Sequence, residues 1–198
     1  DAGIYRVIVS NTGGSVTSNE ATLTVSTVAT QIPANGLIST DTILSKAHSP
    51  YAVTGNVFVN NGVTLTVQPG VVLKLSPGRT IQVSGTLVAR GISAEPIRFE
   101  SVAASPVRGD WGAIELLSQS ADAVFDGGGN YVSGSILEYV EISHGGSVDG
   151  AVIARSASPF FHHVTISNSK TSGLYLAKST SNTSPLVKVL ASNMSNNG

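Results

Sequence analysis

Residues 57–99 read VFVNNGVTLTVQPGVVLKLSPGRTIQVSGTLVARGISAEPIRF. Six short runs stand out in this stretch: Val57-Phe58-Val59, Leu65-Thr66-Val67, Leu73-Lys74-Leu75, Ile81-Gln82-Val83, Leu87-Val88-Ala89 and Ile97-Arg98-Phe99. The first and third residue of each is apolar, the period of a β-strand with one buried face. Gly, Asn or Pro separates most of the runs, as turns require. The runs also come in threes. Val57 to Ile81 and Val59 to Val83 are each 24 positions, Leu65 to Leu87 and Val67 to Ala89 each 22, and Pro69 to Pro96 is 27. Three strands recurring in one order at such a period, with no helical pattern between them, predict a parallel β-helix. Each lap of chain makes one triangular rung, bonded to the rungs above and below and filled by its own apolar side chains. An antiparallel sandwich also has strands every 8–12 residues, but it does not repeat in blocks of three.

The second half keeps the period more loosely. Val140-Glu141-Ile142 and Val164-Thr165-Ile166 are 24 apart, Thr165-Ile166-Ser167-Asn168 and Asn193-Met194-Ser195-Asn196 are 28 apart, and Ser158-Pro159 recurs as Ser184-Pro185 after 26. Gly150-Ala151-Val152 aligns with Gly173-Leu174-Tyr175 at 23, or Val152 with Leu174 at 22. The choice matters, because a slip of one residue exchanges inward and outward faces. Residues 121–134, with Gly127-Gly128-Gly129-Asn130 at their centre, are expected to bulge out as a longer loop.

Composition narrows the function classes. Of the 198 residues 41% are hydrophobic, enough for a core, and only 12% are charged, with a net charge of −1. Abundant Val, Ile and Leu at so low a net charge argue against disorder. The 11 basic residues are scattered, which argues against nucleic acid as a partner. The chain has no cysteine, so disulfides and thiolate metal sites are excluded. No apolar stretch approaches the roughly 20 residues of a membrane span.

The first residues follow a different pattern. Asp1-Ala2-Gly3-Ile4-Tyr5-Arg6-Val7 resembles the strand F signature of immunoglobulin-like domains, D-x-G-x-Y-x-C, with Val7 in the cysteine position and Tyr5 matching the tyrosine corner. The resemblance implies that Ser10-Asn11-Thr12-Gly13-Gly14 is a hairpin turn and Ala21-Thr22-Leu23-Thr24-Val25 a strand G. Residues 1–25 are thus expected to be the last hairpin of an immunoglobulin-like sandwich, residues 26–36 a linker, and residues 37–198 the β-helix. Two strands do not make a sandwich, and the hairpin is expected to cover the open first rung, since solenoid ends need a cap.

From about Ile38 the chain resembles the right-handed parallel β-helix proteins secreted by bacteria. The stretches that carry the likeness are residues 49–57 (SPYAVTGNV), residues 62–71 (GVTLTVQPGV), Gly109-Asp110-Trp111-Gly112 and Thr165-Ile166-Ser167-Asn168. The resemblance implies an all-β, right-handed, single-stranded parallel β-helix with three short strands per rung, and a secreted or cell-surface location. Further rungs are expected after Asn196-Asn197-Gly198. The fold hosts lyases, hydrolases and adhesins, so it does not choose among activities.

Three groups of residues are candidates for a role. His144, Asn168 and Asn196 each follow a buried apolar position by two and are expected to form a structural ladder stacked inside a turn, amide to amide along the axis, since Asn tolerates the αL backbone and bonds its neighbours. Asp110 and the single tryptophan, Trp111, offer a sugar platform, set against a structural reading in which Asp110 fixes a turn and the indole packs over a rung edge. Glu138, Glu141, Asp149, Arg155 and His162, with neighbouring His163, fall in consecutive rungs. Rungs about 4.8 Å apart could bring two carboxylates to the 5–10 Å that glycoside cleavage needs, and an ordinary polar rim is the competing reading. In a regular strand His162 and His163 alternate faces and are not expected to share one metal easily. No metal or other cofactor is expected, except Ca²⁺ if the chain were a lyase of the family. Asn182-Thr183-Ser184 and Asn193-Met194-Ser195 match the glycosylation sequon.

The expected function is a non-catalytic structural or adhesive module whose stiff rod meets extracellular polysaccharide or surface proteins. A polysaccharide lyase or hydrolase is the alternative, and self-association into a filament through open ends is a third.

Overall fold

The computed structural model describes residues 3–23, 30–32, 36–177 and 187–198. The linker residues 26–29 and 33–35, the pair Thr24-Val25, the repeat Ser184-Pro185 and the sequon at Asn182 lie outside them.

The repeat becomes about six stacked turns of parallel β-solenoid, each contributing one short strand to three faces. The first face stacks Leu37–Ile38, Val57–Val59, Ile81–Val83, Ile114–Leu116, Gly150–Arg155 and Ser172–Ala177. The second begins with Thr42–Leu44, Thr64–Val67 and Thr86–Arg90. The third begins with Thr30–Gln31, Tyr51–Val53, Val72–Leu75 and Ile97–Ser101. From the fourth turn the second and third faces are joined: Ile136–Ser143 and then Phe160–Ser167 run through both as single strands, and Lys188–Leu190 and Asn193–Ser195 follow above them. Every strand pair within the three faces is parallel, so the antiparallel sandwich is ruled out.

Register follows the sequence repeat. Val57 pairs with Ile81, Leu65 with Leu87, Val140 with Val164 and Ile166 with Met194. The ambiguous alignment resolves as Val152 over Leu174. Inward residues therefore stand in columns. Tyr51, Leu73, Phe99, Ile142 and Ile166 form one on the third face, all buried, and Leu44, Val67, Ala89, Leu137 and Phe161 form another on the second. The columns merge into a single core that runs the length of the solenoid. Each fully buried Leu, Ile or Phe contributes about 1.5–3 kcal/mol, and the chain adds a comparable set with every turn.

Two insertions lengthen the fourth turn. Residues 117–135 hold the expected long loop, which is in fact an antiparallel hairpin, Val124–Phe125 with Tyr131–Ser133. Its Asp126 carboxylate accepts from the backbone N–H groups of Gly128 and Asn130 and closes the turn. Phe125 and Tyr131 fold back over a small second cluster of Ala123, Ile136 and Phe160. The other insertion, residues 102–113, carries the Gly-Asp-Trp-Gly segment.

Here the sugar-platform reading of Asp110 and Trp111 is corrected. Trp111 is fully buried in the main core, with its indole N–H donated to the Ser143 carbonyl at 2.8 Å. A sugar has no ring face to stack on. Asp110 Oδ2 accepts from Ser101 Oγ at 2.9 Å and from the Val107 N–H at 3.0 Å, so it organises the loop. Gly145 makes room for the indole: a Cβ there would stand 2.8 Å from Trp111 Cζ2.

The N-terminal residues do form the expected hairpin, Gly3–Tyr5 with Ala21–Leu23 and Ile8–Asn11 with Gly14–Thr17. Asn11 accepts from the Gly13 N–H at 2.8 Å in the turn. The hairpin does not cap the solenoid. Residues 4–22 are exposed throughout, including Ile4, Val7, Ile8, Val9 and Val16 on both its faces. The solenoid also starts earlier than residue 37, because Thr30–Gln31 already pairs with Tyr51–Ala52 and Ile32 is buried.

Two measurements follow. Removing residues 1–23 is expected to leave the solenoid's melting temperature unchanged; a clear drop would restore the capping role. Trp111→Phe, which removes the indole hydrogen bond to the Ser143 carbonyl and leaves a gap in the core, is expected to cost about 1–3 kcal/mol in urea unfolding.

Candidate functional site

Parallel, in-register stacking puts an outward side chain directly above its counterpart one turn below, at the ~4.8 Å strand spacing. Like charges in such a column would repel, and on the second and third faces opposite charges stand in register. On the second face Arg90, Glu138 and His162 stand in register. Arg90 Nε donates to Glu138 Oε2 at 2.8 Å, and His162 Nδ1 lies 2.9 Å from Glu138 Oε1. On the third face Arg98 and Glu141 pair at 2.9 Å, and Lys74 pairs with Glu100. On the first face Glu115 accepts from Gln82 at 2.9 Å and from Arg155, which also reaches Asp149 at 2.8 Å.

The five carboxylate, guanidinium and imidazole candidates therefore divide among three places. Glu138 and His162 are joined, Glu141 sits round the corner on the third face, and Asp149 and Arg155 share the first face with Glu115. Arg90, Arg98 and Glu115 complete these groups and were missed from sequence. Their pairing follows from register across turns lengthened by insertions, and simple spacing does not show it.

Electrostatics define what these groups do. Burial pushes the Glu138 carboxyl up, but hydrogen bonds from His162 and Arg90 outweigh it and hold the group below its ordinary value. A general acid for glycoside cleavage needs the opposite shift; Glu138 is an ionised acceptor at neutral pH. Hydrogen bonds from Arg155 to Glu115 and Asp149 raise the guanidinium above its usual range. The donor set does not fit Ca²⁺, since these carboxylates are already engaged by cations and the described residues hold no cluster of three metal-ligating side chains.

The corner between the second and third faces is the most distinctive place on the surface. Tyr139, His163 and Ala191 occupy it in successive turns, all in the left-handed backbone region, with φ of 48°, 53° and 48°. Left-handed geometry costs a non-glycine residue roughly 1–2 kcal/mol. It lets one strand pass from face to face without a loop. The two rings lie parallel, centroids 4.4 Å apart and planes 9° apart. Beside them a shallow groove of about 220 Å³ is lined by Ser93, Pro96, Tyr139, Glu141, His163 and Thr165. A second recess of about 140 Å³ shares Glu141 and Thr165 and continues to Arg98, Glu100, Ser143 and Ser167.

His144, Asn168 and Asn196 form a second left-handed column where the third face ends, with φ of 62°, 56° and 53°. The His144 N–H donates to the Ser167 carbonyl and the Asn168 N–H to that of Ser195. Their side chains range from half-buried to exposed, along an outer corner, and do not stack in the interior as expected.

Replacing the Glu138 charge should alter the response to acid. Its folded-state pKa is depressed, so the stability it supplies is present above the ordinary carboxyl value of 4.5 and lost as pH falls through the lower folded value. Glu138→Gln is expected to be less stable than the parent by about 1 kcal/mol or less at pH 7. The two should converge as pH falls from about 5 to 3 in urea titrations.

The match to known proteins agrees with this geometry. Residues 36–151, more than half of the chain, match the pectate-lyase-like β-helix domain. A segment of 62 residues is 39% identical to Protein bark beetle of Drosophila melanogaster, covering 31% of this chain and 2% of that protein. No solved structure gives a significant match. The parallel three-faced stack and the extent of the family match lead to one conclusion: the chain belongs to the pectate-lyase-like β-helix domain family.

Proposed function

We propose that the chain is a non-catalytic structural module of an extracellular protein and that it presents the corner groove at Tyr139 and His163 to a glycan. The observation that carries this reading is the groove itself. Two stacked rings are held at a strained corner beside the Glu141 carboxylate and the Thr165 hydroxyl. Sugars are recognised in this way, with C–H faces against rings and hydroxyls bonded by carboxylates and hydroxyls. The groove is open and shallow, which suits a chain lying across a surface. The solenoid supplies stiffness, since each turn is fixed by backbone bonds, a shared core and outward ion pairs to its neighbours. The extracellular setting rests on the family.

A polysaccharide lyase or hydrolase is the second reading, favoured by the family match alone. Against it stand the ion-paired carboxylates and the lowered pKa of Glu138.

A glycan array with isothermal titration of the hits tests both. Binding without new reducing ends or unsaturated sugars is expected, and Tyr139→Asn should weaken it about tenfold or more. Asn tolerates the left-handed backbone, so the variant keeps the fold while losing the ring. Turnover of a polysaccharide, or glycan binding indifferent to Tyr139, would overturn the proposal.

A further inference from the structure

The inserted hairpin builds a second feature on the second face. Phe125 and Phe160 meet edge to face, centroids 5.1 Å apart and planes at 79°. Tyr131 braces both, stacked on Phe160 at 6.3 Å and edge-on to Phe125 at 6.5 Å. Lys188 from the last turn puts its ammonium into the corner between the two phenylalanines. Nζ is 4.3 Å from the Phe125 centroid and 5.4 Å from that of Phe160, and it donates to the Gly129 carbonyl at 3.0 Å. Both distances fall within the ~6 Å range of cation–π attraction. Among the described residues Lys188 has no carboxylate partner. Its charge is met by ring faces and one carbonyl.

We propose that this corner is a binding site for an organic ammonium group, and that Lys188 fills it in cis as an internal competitor. Several features mark it as built. The turn that carries Phe125 and Tyr131 is pre-set by Asp126, whose carboxylate accepts from Gly128, Asn130 and the Asn130 side chain. The Tyr131 hydroxyl is fixed on the Gly134 carbonyl at 2.7 Å. Arg90, held by Glu138 at 2.8 Å, also lies over the Tyr131 ring at 5.5 Å. The site favours a quaternary ammonium over a primary one. A lysine head has three N–H donors, and the corner supplies one carbonyl. A trimethylammonium group has none to satisfy and keeps its charge against the rings. The ligand class is therefore a small choline-like cation.

Choline chloride, titrated against matched sodium chloride and followed by calorimetry and by the aromatic proton resonances, tests the site. Lys188→Gln is expected to bind choline about tenfold more tightly than the parent. Phe125→Leu in that background should abolish the gain, and 3,3-dimethylbutanol, the neutral analogue of choline, should not bind. Equal affinity in parent and Lys188→Gln, or equal binding of the neutral analogue, overturns the proposal. The parent protein gives a readout independent of folding in the variants. Saturating choline should speed acylation of the Lys188 amine by an N-hydroxysuccinimide ester as the ammonium is displaced from the rings; an unchanged rate also overturns it.

Discussion

The structure depends on one constraint: every turn must lie in register on the turn before it. Parallel strands bond only to the neighbours above and below, so no described strand of the three faces has a partner within its own turn. The register that satisfies the backbone also aligns the side chains. Tyr51, Leu73, Phe99, Ile142 and Ile166 stand one above another because their amides must meet. The same rule disciplines the surface. Arg90 over Glu138 over His162, and Arg98 over Glu141, are the arrangement left when like charges cannot stand one strand spacing apart. Each such pair is worth little by itself in water. Repeated along three faces, the pairs oppose slippage, because a one-residue shift would turn core residues outward and charges inward.

Departures from the regular turn are where the surface becomes specific. In the second and third turns the step from second to third face is made by loops at 68–71 and 91–96. In the fourth and fifth it is made by one residue with left-handed geometry, Tyr139 and then His163. Asparagine or glycine would adopt that geometry at lower cost. Large aromatic rings at these positions therefore add strain that the fold alone does not require, and they stand at the edge of the groove. The fourth turn also takes both long insertions. One sends Trp111 into the core, where it ties the loop to Ser143 of the third face. The other sends Phe125 and Tyr131 back onto Phe160. The first strengthens the rod and the second decorates it.

The fold was legible because a solenoid writes its contacts as a period. Val57 and Ile81 touch because they are one lap apart, and the lap can be counted. The same counting gave Val140 over Val164 and Thr165 over Asn193 across looser repeats. It left Val152 open between two alignments, since Gly150 and Gly173 suggested a neighbour that packing refuses. The surface groups were less legible. Glu138 and His162, 24 positions apart, stayed within the period and were both among the candidates in consecutive rungs, though only the structure joins them. Arg90 and Glu138 are separated by the inserted hairpin, and Glu115 and Arg155 by the lengthened fourth turn, so counting passes over both pairs. Trp111 was placed ambiguously because Gly-Asp-Trp-Gly looks the same whether its indole faces water or core.

By itself the sequence determined the architecture: parallel strands, three faces, apolar columns within and polar ones without. Those follow from alternation and period, which are local properties repeated. Tertiary structure alone decided which outward residues meet, which way Trp111 turns, and that Phe125, Phe160 and Lys188 share a corner. Such contacts depend on how far an insertion displaces one lap against the next, and on whether a buried polar group such as the indole N–H finds an acceptor. Neither quantity is carried by any stretch of chain read alone.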